Sequence, residues 1–224
     1  LHFSLDVWNT LIIPNSEFAE KRNQLIGDKL DVKAEFIKQV YKDTKRYFDE
    51  RSELYGIGEI TTNVYKQFSI NVFSILSSEF TFWEIEEKLA GLEEELQKLF
   101  LQYPPTLLDE IVRTINKAES NGHAFSISSN NNFIKGETIL KFFEKNNLKF
   151  YFSLFSSRRG IAKPDPEFWK IIIYMAGVYG LKYDNMIHIG DNPICDNPGK
   201  YMRHAIIESP FQLANTIKEY IGVS

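Results

Sequence analysis

Beyond Pro104-Pro105 the chain alternates between a helix-like and a strand-like hydrophobic pattern, and this alternation leaves few folds open. Two successive prolines stop a helix and stiffen the chain that follows. A helical face then runs over 107–120 with Leu108, Ile111, Val112 and Ile115, and Asn121-Gly122 ends it. A strand is expected at 124–128, a helix at 134–145 and a strand at 150–155. Asp165-Pro166 pairs a capping residue with a first-turn proline, so a helix begins there. Strands at 186–189 and 205–207 and a helix at 211–220 complete the series. Tandem strand–helix units build a parallel sheet with helices on both faces. The predicted fold class is therefore α/β, with a Rossmann-like core.

The N-terminal part supplies one more strand and an insertion. In Ser4-Leu5-Asp6-Val7-Trp8-Asn9-Thr10-Leu11, apolar and β-prone residues lead up to Asp6. This reads as a buried strand delivering a carboxylate to its C-terminal end. From about 17 to 103 the period is helical. Phe36, Ile37, Val40, Tyr41, Tyr47 and Phe48 share one face, opposite Lys38, Lys42, Asp43 and Lys45. Residues 52–59, with Gly56 and Gly58, form a turn before a second helix at 61–76. Thr81-Phe82-Trp83-Glu84 fits a capping box that opens a third helix carrying Ile85, Leu89, Leu92, Leu96 and Leu99. The expected domains are an α/β core made of 1–14 and 104–224 and an all-helical cap made of 15–103.

Composition excludes several classes of partner. The formal charge of −4 gives no basic footprint for nucleic acid and no polybasic patch for a membrane surface. No apolar run approaches a membrane span, and no signal-peptide pattern opens the sequence. The single cysteine, Cys195, cannot form an internal disulfide and suits a reducing compartment. The expected location is cytoplasmic.

In open α/β sheets, ligands bind at the C-terminal ends of the strands. Those ends carry Asp6, then Ser128-Ser129-Asn130, then a loop leading to Lys163-Pro164-Asp165-Pro166, then Gly190-Asp191 with Asp196 close behind. Gathered at one edge they supply carboxylates, a hydroxyl, an amide and an ammonium. Hard oxygen ligands of this kind suit Mg²⁺, which keeps waters and binds substrate phosphate. The ammonium balances a bound anion.

This ordered set resembles the haloacid dehalogenase-like hydrolase superfamily over the whole chain. Asp6 and Thr10 match its first motif, Ser129-Asn130 the second, Lys163-Pro164-Asp165-Pro166 the third, and Gly190-Asp191 through Asp196 the fourth. The insertion after the first motif resembles the family's helical cap. The resemblance implies Asp6 as nucleophile, with Lys163 and Ser129 completing the catalytic set. It implies substrate contacts from Ser129, Asn130, Thr10 and Trp8, and Mg²⁺ held by Asp6, the Trp8 carbonyl, Asp191 and Asp196. The implied substrate is a small phosphorylated molecule, hydrolysed through an aspartyl-phosphate. One departure stands out. The family's phosphatases carry a second Asp two residues after the nucleophile, as proton donor and base, and Trp8 occupies that position. An indole N–H donates a hydrogen bond but does not cycle as acid and base. Two alternatives therefore stay open: a binding or regulatory protein with negligible turnover, and carbon–halogen or carbon–phosphorus cleavage.

The histidines form no ligand set. His188 lies inside a strand as a core histidine, and His2, His123 and His204 sit at strand entrances. Cys195 lies between acidic residues that disfavour its thiolate, and Arg158 and Arg159 read as solvated.

Overall fold

The computed structural model describes residues 1–222, except for the side chain of Tyr183. Strand β1 (His2–Leu5) is followed by the short β2 (Ile12–Ile13). Five helices come next: α1 (Ser16–Leu30), α2 (Ala34–Tyr55), α3 (Thr61–Leu76), α4 (Phe82–Lys88) and α5 (Leu92–Gln102). The chain returns through β3 (Thr106–Leu107), antiparallel to β2. Then follow α6 (Asp109–Ser120), β4 (Ala124–Ser129), α7 (Gly136–Lys145), β5 (Ser153–Phe155), α8 (Ser156–Arg159) and α9 (Pro166–Val178). The last elements are β6 (Met186–Gly190), β7 (Arg203–Ile206) and α10 (Pro210–Ile221). Strands β5-β4-β1-β6-β7 form one sheet, and every pair within it is parallel.

Strand alternation sorts the side chains into two layers. Phe3, Leu5, Phe125, Ile127, Ile187 and Ile189 face α6, α7 and α10 through Ile115, Ile139, Phe143, Leu213 and Ile217. On the other face α9 contributes Phe168, Trp169 and Ile172. Several local signals act as read. Asp165 caps α9 by accepting from the Glu167 N–H at 2.7 Å, with Pro166 in the first turn. Thr81 and Glu84 make the reciprocal capping box. The expected third helix, however, is two helices, because Gly91 adopts φ +77° between α4 and α5. The apolar period continues across that break because both pieces bury the same side. Strand β5 begins at Ser153 rather than 150, and α7 begins at Gly136 rather than 134.

Helices α1–α5 bury their own cluster, which includes Ile37, Phe68, Val72 and Leu96. One residue from the other part of the chain belongs to it. Phe133, from the loop after β4, stacks on Tyr41 with ring centroids 4.0 Å apart and packs edge-on to Tyr65. Its carbonyl accepts from the Tyr65 hydroxyl at 3.1 Å and the Gln97 amide at 2.9 Å. A second junction joins the α2–α3 turn to the loop before Lys163. There the Ala162 N–H donates to the Gly56 carbonyl at 2.7 Å, and the Gly58 N–H donates to the Gly160 carbonyl at 3.2 Å. Gly56 is required at this contact: its φ is +64°, and a Cβ would lie 2.5 Å from that of Asp165.

Candidate active site

Four residues from the strand ends and the loops beyond them meet at the C-terminal edge of the sheet. Asp6 follows β1 and Asp191 follows β6, and these strands are neighbours. The Lys163 ammonium lies 2.7 Å from Asp6 Oδ1 and also donates to Asp196 Oδ1. Oxygens of Asp6, Asp191 and Asp196 all lie within 4.8 Å of one another. Asp6, Lys163 and Asp196 are buried, and Asp191 is half-buried.

Three carboxylates face one ammonium, and the electrostatics follow from that imbalance. Burial disfavours the charged form of Lys163, but Asp196 and Asp6 outweigh it and hold the ammonium well above the usual lysine range. Burial also works against the Asp196 carboxylate, yet Lys163 and His188 hold it well below the usual carboxylate range. Asp6 also accepts from Lys163, but burial opposes its charge. Burial, with Asp196 and Asp191 nearby, raises its pKa to about 7. Asp191 is raised by burial and by Asp196.

The supporting contacts show how this cluster is held. The Asn130 side chain clamps the backbone of Lys163, donating to its carbonyl and accepting from its N–H, both at 2.9 Å. Asp196 Oδ2 accepts from the Asn192 N–H at 2.9 Å. Its Oδ1 accepts from His188 Nε2 at 2.9 Å as well as from Lys163. Burial keeps His188 below its usual pKa. Its neutral ring therefore donates through Nε2 and accepts through Nδ1, from Ser128 at 3.2 Å. Ser4 hydrogen-bonds Ser128 across the sheet. A polar stripe thus crosses three central strands beneath the site. Gly190 leaves room for it, because a Cβ there would lie 2.1 Å from Asp196 Cγ. Asn9, at φ +54°, donates to Asp191 Oδ2 at 3.3 Å.

The remaining candidates are placed as follows. Ser129 is fully buried, and its hydroxyl donates to the Asn130 carbonyl at 3.3 Å. Thr10 is also fully buried, and its hydroxyl has no hydrogen-bond partner among the described residues. Trp8 turns its ring to Phe100, edge-on at 6.2 Å, and lines a cleft between the helical layer and the sheet. Asn9 and Asn130 line the same cleft. Burial pushes the Cys195 thiol up to about 12. His188, Asn9 and Phe133 were not singled out from the sequence as parts of a site. His188 had a signal: it is the sole polar side chain in Met-Ile-His-Ile, a strand buried on both faces, and a buried polar group needs a partner.

No helix among the described residues is long and apolar enough to cross a membrane. No curated protein sequence matches the chain. Solved structures do, at low identity. The 2-haloacid dehalogenase of Pseudomonas syringae pv. Tomato DC3000 is 15% identical, with a TM-score of 0.61 and 98% of each chain covered. A proposed beta-phosphoglucomutase of Thermotoga maritima is 12% identical, with a TM-score of 0.62, covering 97% of this chain and 98% of that one. A proposed HAD-hydrolase of Bacillus subtilis, bound to magnesium, is 15% identical, with a TM-score of 0.60, covering 96% of this chain and 97% of that one. At such identities the likeness shows a shared fold. The sequence model for haloacid dehalogenase-like hydrolases matches residues 2–199, so the chain belongs to the haloacid dehalogenase-like hydrolase family.

Proposed function

We propose that this protein is a magnesium-dependent hydrolase of a small phosphate ester. The observation that carries the reading is the charge imbalance around Asp6. With one ammonium among three carboxylates, the site carries a surplus of two negative charges once all three are ionised, and the raised Asp6 and Asp191 report that strain. A phosphoryl dianion would be repelled by that surplus. A divalent cation cancels the surplus, and the donor set fits one: carboxylate oxygens of Asp6, Asp191 and Asp196 lie within 4.8 Å of one another, and the first motif implies the Trp8 carbonyl as a further ligand. Bound there, Mg²⁺ would neutralise phosphoryl oxygens and lower the barrier to attack on phosphorus. The protein's own groups do the rest. An Asp6 oxygen attacks phosphorus as the bond to the leaving oxygen breaks, and the leaving oxygen departs with its electron pair. Water then attacks phosphorus and gives up a proton to solvent as the bond to Asp6 breaks, its electron pair returns to the carboxylate, and phosphate is released. Lys163 keeps Asp6 oriented, and Asn130 holds Lys163 in place. The location of Trp8 on the cleft wall leaves the leaving group without a built-in acid, which favours aryl and acyl phosphates.

The test is a panel of phosphate esters with and without Mg²⁺. Turnover should require the metal, vanish in Asp6→Asn, and favour aryl and acyl phosphates over sugar phosphates. Acid–base catalysis is worth about 10²–10⁴ in rate. Trp8→Asp should therefore raise alkyl-ester hydrolysis at least tenfold. Activity in Asp6→Asn within tenfold of wild type would refute the covalent role. A second reading rests on the same Trp8: cleavage of a carbon–halogen bond needs no acid for its leaving group. Metal-independent release of halide from 2-chloropropionate, with no phosphatase activity, would select it.

A further inference from the structure

We infer that the cleft beside Asp6 takes a substrate whose leaving group is one aromatic ring carrying a carboxylate, with Arg22 as the receptor for that carboxylate. The inference rests on the phosphohydrolase reading for the ester bond alone; the recognition of the ring and its anion stands on the cleft itself. The cleft measures about 280 Å³. A cavity of roughly 150 Å³ is enough to hold benzene. The space therefore suits one ring with a substituent. Its walls are aromatic: Trp8, Phe18, Tyr41, Phe100, Tyr103 and Phe133. Such walls favour a flat apolar body through stacked and edge-on contacts. Asn9 and Asn130 join the cleft to the reacting groups, since their side chains touch Asp191 and the Lys163 backbone.

One cation in this lining lacks a counter-charge. Lys45 is paired with Asp49, which also accepts from Asn132. Arg22 makes no ion pair among the described residues, although it is half-buried. It is nevertheless held firmly. Its guanidinium carbon sits 3.4 Å from the Tyr41 ring centroid and 5.9 Å from that of Phe18. Its Nε and Nη2 donate to the buried Asn23 Oδ1 at 3.0 and 2.8 Å. A guanidinium carries five N–H donors, of which the Asn23 bonds use two, and a carboxylate is the planar anion that matches a guanidinium fork. The placement of Trp8 agrees with an aryl ester. A phenolic oxygen ionises near pH 10, as in tyrosine, and leaves phosphorus far more readily than an alkoxide when no acid stands by. On departure it takes its proton from solvent.

The experiment uses the full chain with Mg²⁺ and compares 4-carboxyphenyl phosphate with phenyl phosphate. Wild type should favour the carboxylated ester by at least tenfold in kcat/KM. Arg22→Gln should lose that preference, and Arg22→Lys should keep only part of it, because a lysine has charge without the fork. Binding of 4-hydroxybenzoate, measured calorimetrically, tests the cleft without phosphoryl chemistry, and Arg22→Gln should weaken it at least tenfold. Equal kcat/KM for the two esters in wild type overturns the inference without any variant. So does a preference that survives Arg22→Gln. If no ester turns over but 4-hydroxybenzoate binds in an Arg22-dependent way, the cleft assignment holds and the phosphohydrolase reading falls. If esters turn over with no preference for the carboxylate, the cleft assignment alone falls.

Discussion

Replacing Lys163 with methionine tests the charge balance of the site directly. The substitution keeps an apolar stem of similar length and removes the ammonium that contacts Asp6 and Asp196. Three carboxylates then remain with oxygens no more than 4.8 Å apart. At an effective dielectric constant of about 20, two unit charges at that separation repel by about 3.5 kcal/mol. Breaking a buried ion pair from one side costs about 3–5 kcal/mol by independent measure. The two figures agree, so Lys163→Met should lose about 3–5 kcal/mol at pH 8 without metal. For a chain of this size that corresponds to a fall in Tm of about 6–20 °C. The sign of the pH effect follows from the carboxylates. Without the ammonium, their folded-state pKa values stand above the unfolded ones. Their ionised forms then destabilise the fold increasingly as pH rises from about 4 to about 8, and not below that range. The deficit should therefore shrink at pH 5, where protons take the place of the missing cation, and Mg²⁺ should recover part of it at pH 8. Thermal unfolding by circular dichroism at both pH values, with and without Mg²⁺, reads all of this. A loss under about 1 kcal/mol at pH 8, or the same loss at pH 5, would refute the assignment of Lys163 as the internal counter-charge.

Two further outcomes are expected. Because Asp6 is raised to about 7 and a metal ligand must be deprotonated, Mg²⁺ affinity should rise about tenfold per pH unit up to pH 7 and level off above it. Calorimetric titration between pH 5.5 and 8.5 checks this, and a pH-independent affinity would contradict it. Phe133→Ala empties a position stacked inside the helical cluster and should cost about 3–5 kcal/mol in urea unfolding; a loss under 1 kcal/mol would show that the helical layer packs without its anchor.

The sequence by itself determined the kind of sheet and the edge at which the candidate site residues gather. Hydrophobic period, prolines and caps are local properties, so the strand–helix series, the Thr81–Glu84 box and the Asp165 cap were legible before any contact was known. The order β5-β4-β1-β6-β7 then brings Asp6 and Asp191 onto neighbouring strands. Tertiary structure alone decided the rest, because each remaining feature joins residues far apart in the chain. Gly91 breaks a helix whose apolar period runs on through it, and period carries no record of a single backbone angle. Phe133 looks like an ordinary loop residue until Tyr41 and Tyr65 close around it. His188 becomes a support of Asp196 only when Gly190 lets that carboxylate come within reach. Trp8 was visible as a missing acid, but whether its ring lies over Asp6 or along the cleft wall was set by Phe100, more than ninety residues away. Local propensity is written residue by residue, whereas burial, charge balance and cleft shape are sums over distant neighbours, and only the folded chain performs those sums.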